Sequence, residues 1–278
     1  MANNNNVTAP KSWQNPVPYQ LDLKTDSAQK DLPKNNKTPT IKEDLFERSS
    51  SSMSQIYSII AGNRIFSASD SRMTFSSQMG MSFLDGNPKC VFLPSAQLLI
   101  SFAGTNTIPD GEKRVLVRDW LTTHENLLSS EKSASENCRL IYEKLKELYQ
   151  PLLQQNLPAE SLFLIVSRRK KDGVCEQCSA NMYFSQQLEP LSVQSDILLS
   201  NNYDMLNRLF SDHGTSSLLP LESFSEFQME KLLCFLIRSQ EARNSFCGLP
   251  NVIGGPILFS IWDKNGYRKF WIPVGETH

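Results

Sequence analysis

The sequence lacks the features that mark a membrane protein, an exported protein or a nucleic-acid-binding protein. It contains no run of about 18 apolar residues, so we expect no membrane-spanning helix and no membrane partner. The first ten residues, MANNNNVTAP, have no apolar signal core, which predicts a cytoplasmic protein. The formal net charge of −1 gives no overall positive field that would attract nucleic acid.

Residues that bind metal ions or serve as histidine bases are also scarce. The three histidines, His124, His213 and His278, have neither ligand spacing nor the spacing of a catalytic triad. Several of the six cysteines lie in apolar runs, which indicates buried, reduced thiols. Cys175 and Cys178 form a C-x-x-C motif, but no second ligand pair lies nearby. We therefore expect no metal and no cofactor, and we interpret the motif as part of a plain hairpin, with a metal site as the minor alternative.

The N-terminal segment, residues 1–53, differs in composition from the rest of the chain. It is rich in Asn, Lys, Pro, Ser and Thr and ends in a run of serines. Such a segment buries too little apolar surface to offset the entropy lost on ordering, so we expect a disordered leader or propeptide. Residues 54–278 are numerous enough to form one domain with a substantial core.

Apolar runs bounded by turn residues predict pairs of strands alternating with pairs of helices. Gly62-Asn63 is a hairpin signal between two β-branched runs. We expect strands at 55–61, 64–69, 97–103, 161–167, 180–186, 257–262 and 267–271, and helices at 113–128, 134–153, 202–211 and 223–241. This order predicts an α+β fold in which two antiparallel sheets pack together with helices outside.

A cluster of four basic residues occupies the predicted turn between the strands at 161–167 and 180–186. It reads Arg168-Arg-Lys-Lys-Asp-Gly173. We interpret it as a solvated loop tip, with a binding patch as the minor alternative.

Four short motifs follow one another in the chain. They are Ser67-Ala-Ser-Asp-Ser-Arg-Met73, Lys89-Cys-Val-Phe-Leu93, Leu99-Ile-Ser-Phe-Ala-Gly-Thr105 and Gly254-Gly-Pro-Ile-Leu-Phe-Ser-Ile-Trp-Asp-Lys-Asn-Gly266. In this order they resemble the A-A-D-x-R segment, the lysine strand, the A-G-T turn and the closing G-G strand and hairpin of proteasome β-type subunits and related bacterial peptidases. The resemblance covers about residues 54–272. It implies a divergent proteasome-like N-terminal-nucleophile (Ntn) hydrolase with a four-layer αββα sandwich.

The resemblance also implies a set of catalytic residues. In this family the nucleophile is the first residue of the mature chain, and its own freed α-amino group is the general base. The family places the nucleophile sixteen positions before the aspartate of its A-A-D-x-R segment, which here means Ser54 and Asp70. Arg72 would be the neighbouring arginine, Lys89 the lysine whose charge lowers the pKa of the amine, and Gly104 the N–H of the oxyanion hole. The expected substrate is a peptide or another amide, and the expected assembly is an oligomer or ring of like subunits.

Several positions depart from the family pattern. Met53 stands where self-processing members have glycine, and Arg243-Asn-Ser-Phe-Cys-Gly248 replaces an R-D-x-x-S-G segment, so that Asn244 takes the place of the acid. The family's S-G-[ST] segment has its best counterpart in Ser200-Asn-Asn202, and five residues separate the glycines at 248 and 254. These departures leave open a catalytically degenerate structural or regulatory subunit.

A third hypothesis dispenses with the resemblance. Asp70 would cap a turn, Lys89 would be a surface lysine, and Gly104 would serve only the backbone. The chain would then be an α+β binding module that uses its basic hairpin and its leader. This hypothesis predicts that Lys89 and Asp70 lie more than about 6 Å apart, since the chemistry requires close opposite charges.

Overall fold

A computed structural model describes most of the chain after the serine run. The described residues are 54–77, 80–111, 113–153, 160–184, 191–201, 220–248 and 252–275. The expected leader, residues 1–53, and the expected helix at 202–211 lie outside them.

The described residues form fourteen β-strands and three α-helices. The strands are β1 (Ile56–Ala61), β2 (Arg64–Ser69), β3 (Met73–Ser77), β4 (Gly80–Leu84), β5 (Cys90–Leu93), β6 (Leu98–Gly104), β7 (Thr107–Asp110), β8 (Lys113–Leu116), β9 (Glu160–Arg169), β10 (Cys175–Phe184), β11 (Val193–Ser195), β12 (Leu198–Ser200), β13 (Ile257–Asp263) and β14 (Gly266–Ile272). The helices are α1 (Val117–Thr123), α2 (Ala134–Leu153) and α3 (Glu226–Phe246), accompanied by 3₁₀ turns at Glu125–Leu127 and Leu221–Ser223.

The strands form two five-stranded sheets and two separate hairpins. The first sheet has the order β12-β1-β2-β13-β14, and the second has the order β11-β10-β9-β6-β5. All neighbouring strands in both sheets are antiparallel. β3 pairs with β4 and β7 pairs with β8. The α+β class with antiparallel sheets is thus confirmed.

Alternate residues of β6 show how the second sheet uses its two faces. Leu98 and Ile100 belong to a buried cluster that includes residues of α1 and α2. Leu99 belongs to a different cluster, together with Ile65 of β2 and Trp262 of β13. Because successive side chains of a strand point to opposite faces, one face of this sheet packs on helices and the other on the first sheet.

The first sheet is arranged in the same way. Tyr57, Phe66 and Phe259 of its three central strands pack in a buried cluster with α3. α3 begins with a capping box in which Ser225 and Gln228 satisfy each other's backbone N–H groups. Through this cluster, α3 covers the face of the first sheet that points away from the second sheet.

Hydroxyl groups line part of the buried contact between the two sheets. Ser67 Oγ of β2 lies 2.7 Å from Ser101 Oγ of β6. Ser58 Oγ of β1 donates a hydrogen bond of 2.7 Å to Gln177 Oε1 of β10 and lies 3.3 Å from Ser167 Oγ of β9. We call these five residues the serine seam; all of them are buried.

Most predicted elements are present, but several boundaries were wrong. The helix predicted at 134–153 is confirmed as α2, whereas the helix predicted at 113–128 begins only at Val117. Lys113–Leu116 instead forms β8, because a turn with Gly111 at φ 64° returns the chain onto β7. Arg168 and Arg169, predicted to lie in a loop, belong to β9, which extends to Arg169 against β10.

None of the helices among the described residues has both the length and the apolar character that crossing a membrane requires.

Candidate active site

The β1–β2 hairpin brings the segment containing Ser54 next to Asp70. In this hairpin Ile56 is paired with Ser69, so one further step of the register sets Gln55 opposite Asp70. Gln55 N donates a 2.8 Å hydrogen bond to Asp70 Oδ1, and Asp70 N donates one of 3.1 Å to Gln55 O. The tight turn after Ala61 therefore accounts for the spacing between Ser54 and Asp70.

Asp70 forms a buried ion pair with Lys89. Lys89 Nζ lies 3.0 Å from both carboxylate oxygens and donates to Arg72 O at 2.5 Å. Neither charged side chain is exposed to solvent. The observed distance contradicts the separation of more than about 6 Å that the binding-module hypothesis predicts.

Burial sets the direction of both pKa shifts in this pair. Loss of solvent raises the pKa of the Asp70 carboxyl group and lowers the pKa of the Lys89 ammonium group. The opposite charge of the partner acts against each shift. The N–H groups of Gln55 and Gly254 further favour the Asp70 carboxylate. The hydrogen bonds thus fix the Lys89 amino group and the Asp70 carboxyl group beside the residue that follows Ser54.

Arg72 connects this site to the loop before β13. Its guanidinium group binds Asp85 with two hydrogen bonds, Nε to Oδ1 at 2.8 Å and Nη2 to Oδ2 at 3.0 Å. A Cβ atom at Gly254 would lie 2.7 Å from Arg72 Cζ, and one at Gly255 would lie 2.6 Å from Ser71 Oγ. The paired glycines therefore allow the chain to approach the Asp70 loop closely.

Gly104 ends β6 on the same side of the two sheets as the start of β1. Its neighbour Ala103 shares a buried cluster with Ile56. Phe102 N donates to Lys89 O at 2.9 Å, which links β6 to the ion pair. Gly104 has φ 98°, and a Cβ atom there would lie 2.3 Å from Ser161 O. Close backbone packing therefore requires a glycine at this position, whatever its chemical role.

Hydrogen bonds among the described residues join four of the five residues that the resemblance selected, and Gly104 follows two residues of β6 that contact the same region. Asp70, Arg72 and Lys89 are in direct contact. Ser54, which is 3% exposed, is joined to the pair through the N–H of the following residue, Gln55. Gly104 comes directly after Phe102 and Ala103, which contact the backbone of Lys89 and the side chain of Ile56.

The sequence did not predict Asn201 as a site residue. Its side chain binds the backbone at Ser54 and Ile56, although these residues lie far apart in sequence. The only signal was that Asn201 belongs to the candidate counterpart of the family's S-G-[ST] segment. Hydrogen bonds that span so many residues have no local pattern from which they can be predicted.

Asn244, the counterpart of the family's acid, is buried in α3. Its Oδ1 accepts a 3.0 Å hydrogen bond from Gln240 Nε2, one turn earlier in the same helix. Asn244 thus takes part in a neutral contact between two amides, where the family pattern has a carboxylate.

The two cysteines of the C-x-x-C motif point to opposite faces of β10. Cys178 is fully buried on the face that packs on helices, whereas Cys175 packs beside the cluster between the sheets. The motif therefore does not present two thiolates to one ion. Among the described residues, no group of three or more His, Cys, Asp or Glu side chains is arranged to hold a metal.

The basic hairpin borders a cleft of about 510 Å³ together with Trp262 and Gln97. Arg168 and Lys170 both form ion pairs with Glu176, at 3.4 Å and 3.1 Å. The charge of the hairpin is therefore partly neutralised within the chain.

Comparison of the chain with protein-family models gives no match, and comparison with curated proteins gives none either.

Proposed function

We propose that the chain is a divergent proteasome-like Ntn hydrolase, folded as a four-layer αββα sandwich, that cleaves peptides or related amides. The observation that carries the proposal is the buried Lys89–Asp70 pair, which binds the backbone immediately after Ser54. The packing of helix, sheet, sheet and helix supports the four layers. The antiparallel order of both sheets fits the same architecture.

In this proposal the leader, residues 1–53, is a propeptide, and cleavage of the Met53–Ser54 bond creates the active site. The freed α-amino group of Ser54 takes the proton from Ser54 Oγ as Oγ attacks the carbonyl carbon of the substrate. The Lys89 ammonium group favours the neutral amine by charge repulsion, so that the amine acts as a base near neutral pH. Asp70 holds the ammonium group in place.

The remaining steps release both halves of the substrate. The N–H of Gly104 stabilises the oxyanion of the tetrahedral intermediate. The amine leaving group takes the proton from the Ser54 α-ammonium group, which leaves an acyl ester on Oγ. Water, deprotonated by the same amine, then hydrolyses the ester and restores Ser54. Apart from the substrate and water, every group that these steps use belongs to this chain, so the proposed mechanism requires no cofactor.

A catalytically degenerate subunit with the same fold is the second candidate. The contact between Asn244 and Gln240 favours it, because an amide supplies no negative charge at the position where the family pattern has an acid. Met53 favours it as well, since a side chain before Ser54 hinders the compact geometry that self-cleavage requires. Such a subunit would keep its leader and assemble with like subunits.

Intact mass of the purified full-length protein tests the proposal. We expect a fraction of the chains to lose residues 1–53 and to begin with Ser54. We expect Ser54→Ala to abolish both this cleavage and hydrolysis of fluorogenic peptide amides, because the variant has no nucleophile. Ser52→Ala, a change in the same serine run, is the matched control and should be processed normally.

The result also separates the two candidates. A chain that keeps residues 1–53 after prolonged incubation and shows no hydrolysis dependent on Ser54 overturns the enzyme and favours the degenerate subunit. In either case we propose a cytoplasmic protein that forms an oligomer or ring, which native mass measurement would detect as a multiple of the protomer mass.

A further inference from the structure

Asn201 binds the backbone on both sides of Gln55. Its Oδ1 accepts a 3.0 Å hydrogen bond from Ile56 N, and its Nδ2 donates to Ser54 O. The residue lies directly after β12, where Ser200 is still paired with Tyr57 of β1. A primary amide presents an acceptor oxygen beside a donor NH₂ group, much as a peptide unit presents C=O and N–H, so the side chain extends the ladder past the last residue of the strand.

The opposite edge of the same segment is bound by Asp70. Gln55 N and Gln55 O form hydrogen bonds with the carboxylate and the backbone N–H of Asp70, while Asn201 binds the groups on either side. Of the four consecutive backbone groups from Ser54 O to Ile56 N, the outer two are thus bound by Asn201 and the inner two by Asp70. Ser54 and Gln55 are also almost completely buried.

We propose that Asn201 is a positioning residue that fixes Ser54 for catalysis once Ser54 has become the first residue of the chain. This inference rests on the proposed function. The ends of protein chains fray unless they are tied down, and Ser54 would then be held by a single peptide bond. The bond from Asn201 to the Ser54 carbonyl limits rotation of that residue and so restricts the positions that Oγ and the α-amino group can take.

The chemistry of the side chain explains why an asparagine suits this position. Aspartate has the same shape but presents only acceptors, so it would repel the Ser54 carbonyl oxygen. Alanine removes both hydrogen bonds and adds no charge. The two substitutions therefore separate the loss of positioning from a change in the electrostatic field.

The test uses the full-length chain with Asn201→Ala, Asn201→Asp and the control Asn265→Ala, a change in the exposed β13–β14 turn. We expect Asn201→Ala to lower kcat by about 10- to 100-fold per processed chain with little change in KM, because misplacement by about 1 Å costs that much. The processed fraction is measured by intact mass. The acid limb of the pH–rate profile should stay in place.

Asn201→Asp should move that acid limb to higher pH. A carboxylate near the α-ammonium group of Ser54 favours its protonated form, so the free base appears only at higher pH. A residue with a purely structural role would reduce the amount of folded enzyme without moving the limb. An unshifted limb in Asn201→Asp therefore contradicts the placement of the Asn201 side chain against Ser54 in the processed enzyme.

Hydrogen exchange provides a readout that does not depend on activity. In Asn201→Ala the Ile56 amide loses its acceptor, so its exchange should accelerate in the intact chain, whereas Asn265→Ala should leave it unchanged. If exchange accelerates in Asn201→Ala but the wild-type protein shows no Ser54-dependent hydrolysis, the contact stands and the proposed function is overturned. Processed, active wild type together with an Asn201→Ala variant of unchanged kcat overturns the positioning role.

Discussion

The side chains of Lys89 and Asp70 are fully buried and face each other at 3.0 Å. Moving a charge out of water costs several kcal/mol, and an opposite charge offsets that cost only when both partners are present. The fold therefore tolerates the intact pair, whereas burial of one charged member without the other strongly destabilises it.

We predict that Lys89→Met lowers the free energy of unfolding by about 3–5 kcal/mol, because it leaves the Asp70 carboxylate buried without its cation. Adding Asp70→Asn should recover much of this loss by removing the charge, while leaving the protein without catalytic activity. Urea denaturation measures both changes.

Lys144→Met is the control for this prediction, because Lys144 pairs with Glu147 on the exposed surface of α2. Exposed pairs contribute little, so its midpoint should stay near that of the wild type. A Lys89→Met variant as stable as this control would mean that water reaches the pair.

Among the elements, β6 ends where its backbone packs most tightly. Thr105 N donates to Ser161 O at 2.8 Å, and Gly104 lies directly against the same oxygen. The strand end that would supply the oxyanion N–H is therefore fixed by contact with β9.

We predict that Gly104→Ala destabilises the protein by about 2–5 kcal/mol, through a strained φ and overpacking against Ser161. Gly111→Ala is the matched control: its φ is 64°, but no atom lies within 4 Å of the added methyl group. It should cost only about 1–2 kcal/mol from backbone strain. Equal midpoints in urea for the two variants would rule out the steric part.

Local signals predicted the elements that depend on neighbouring residues. Gly62-Asn63 predicted the β1–β2 hairpin, and the apolar spacing of 134–153 predicted α2. The start of α1 was wrong because Lys113–Leu116 pairs with β7, and β11 and β12 were missed because three residues are too few to show a period. The contacts of Asn201 depend on the tertiary fold, and the resemblance of Ser200-Asn-Asn202 to the S-G-[ST] segment was their only signal in the sequence.

The molecule as a whole encloses its cysteines to different depths. Three cysteines are buried: Cys90 between the two sheets, and Cys138 and Cys178 between the second sheet and the helices. Cys175 and Cys234 are half-buried, and Cys247 is exposed. Burial raises the pKa of the Cys175 thiol to about 11 and that of Cys234 to about 12. Since the thiolate is the reactive form, depth and pKa together set the order of labelling.

We predict that a maleimide reacts with Cys247 first when the native protein is labelled at about pH 7.5. Cys175 should react far more slowly, with a rate that rises about tenfold per pH unit toward its pKa, because the thiolate fraction rises in that proportion. Peptide mass mapping after timed quenching measures each site. Rapid labelling of Cys138 or Cys178 without denaturant would contradict the packing of α2 on the second sheet.

The serine seam has a consequence for how the two sheets are aligned. An apolar contact alone would tolerate a slide of one sheet over the other, because dispersion forces have little directional preference. The hydroxyl groups of Ser58, Ser67, Ser101 and Ser167 instead meet partners at fixed places. A displacement of one residue would leave these hydroxyl groups buried among hydrocarbon side chains without hydrogen-bond partners. Each unpaired group would lower the free energy of unfolding by about 1–3 kcal/mol. The serine seam thus fixes the register between the two sheets, and with it the relative positions of the residues at the ends of β1 and β6.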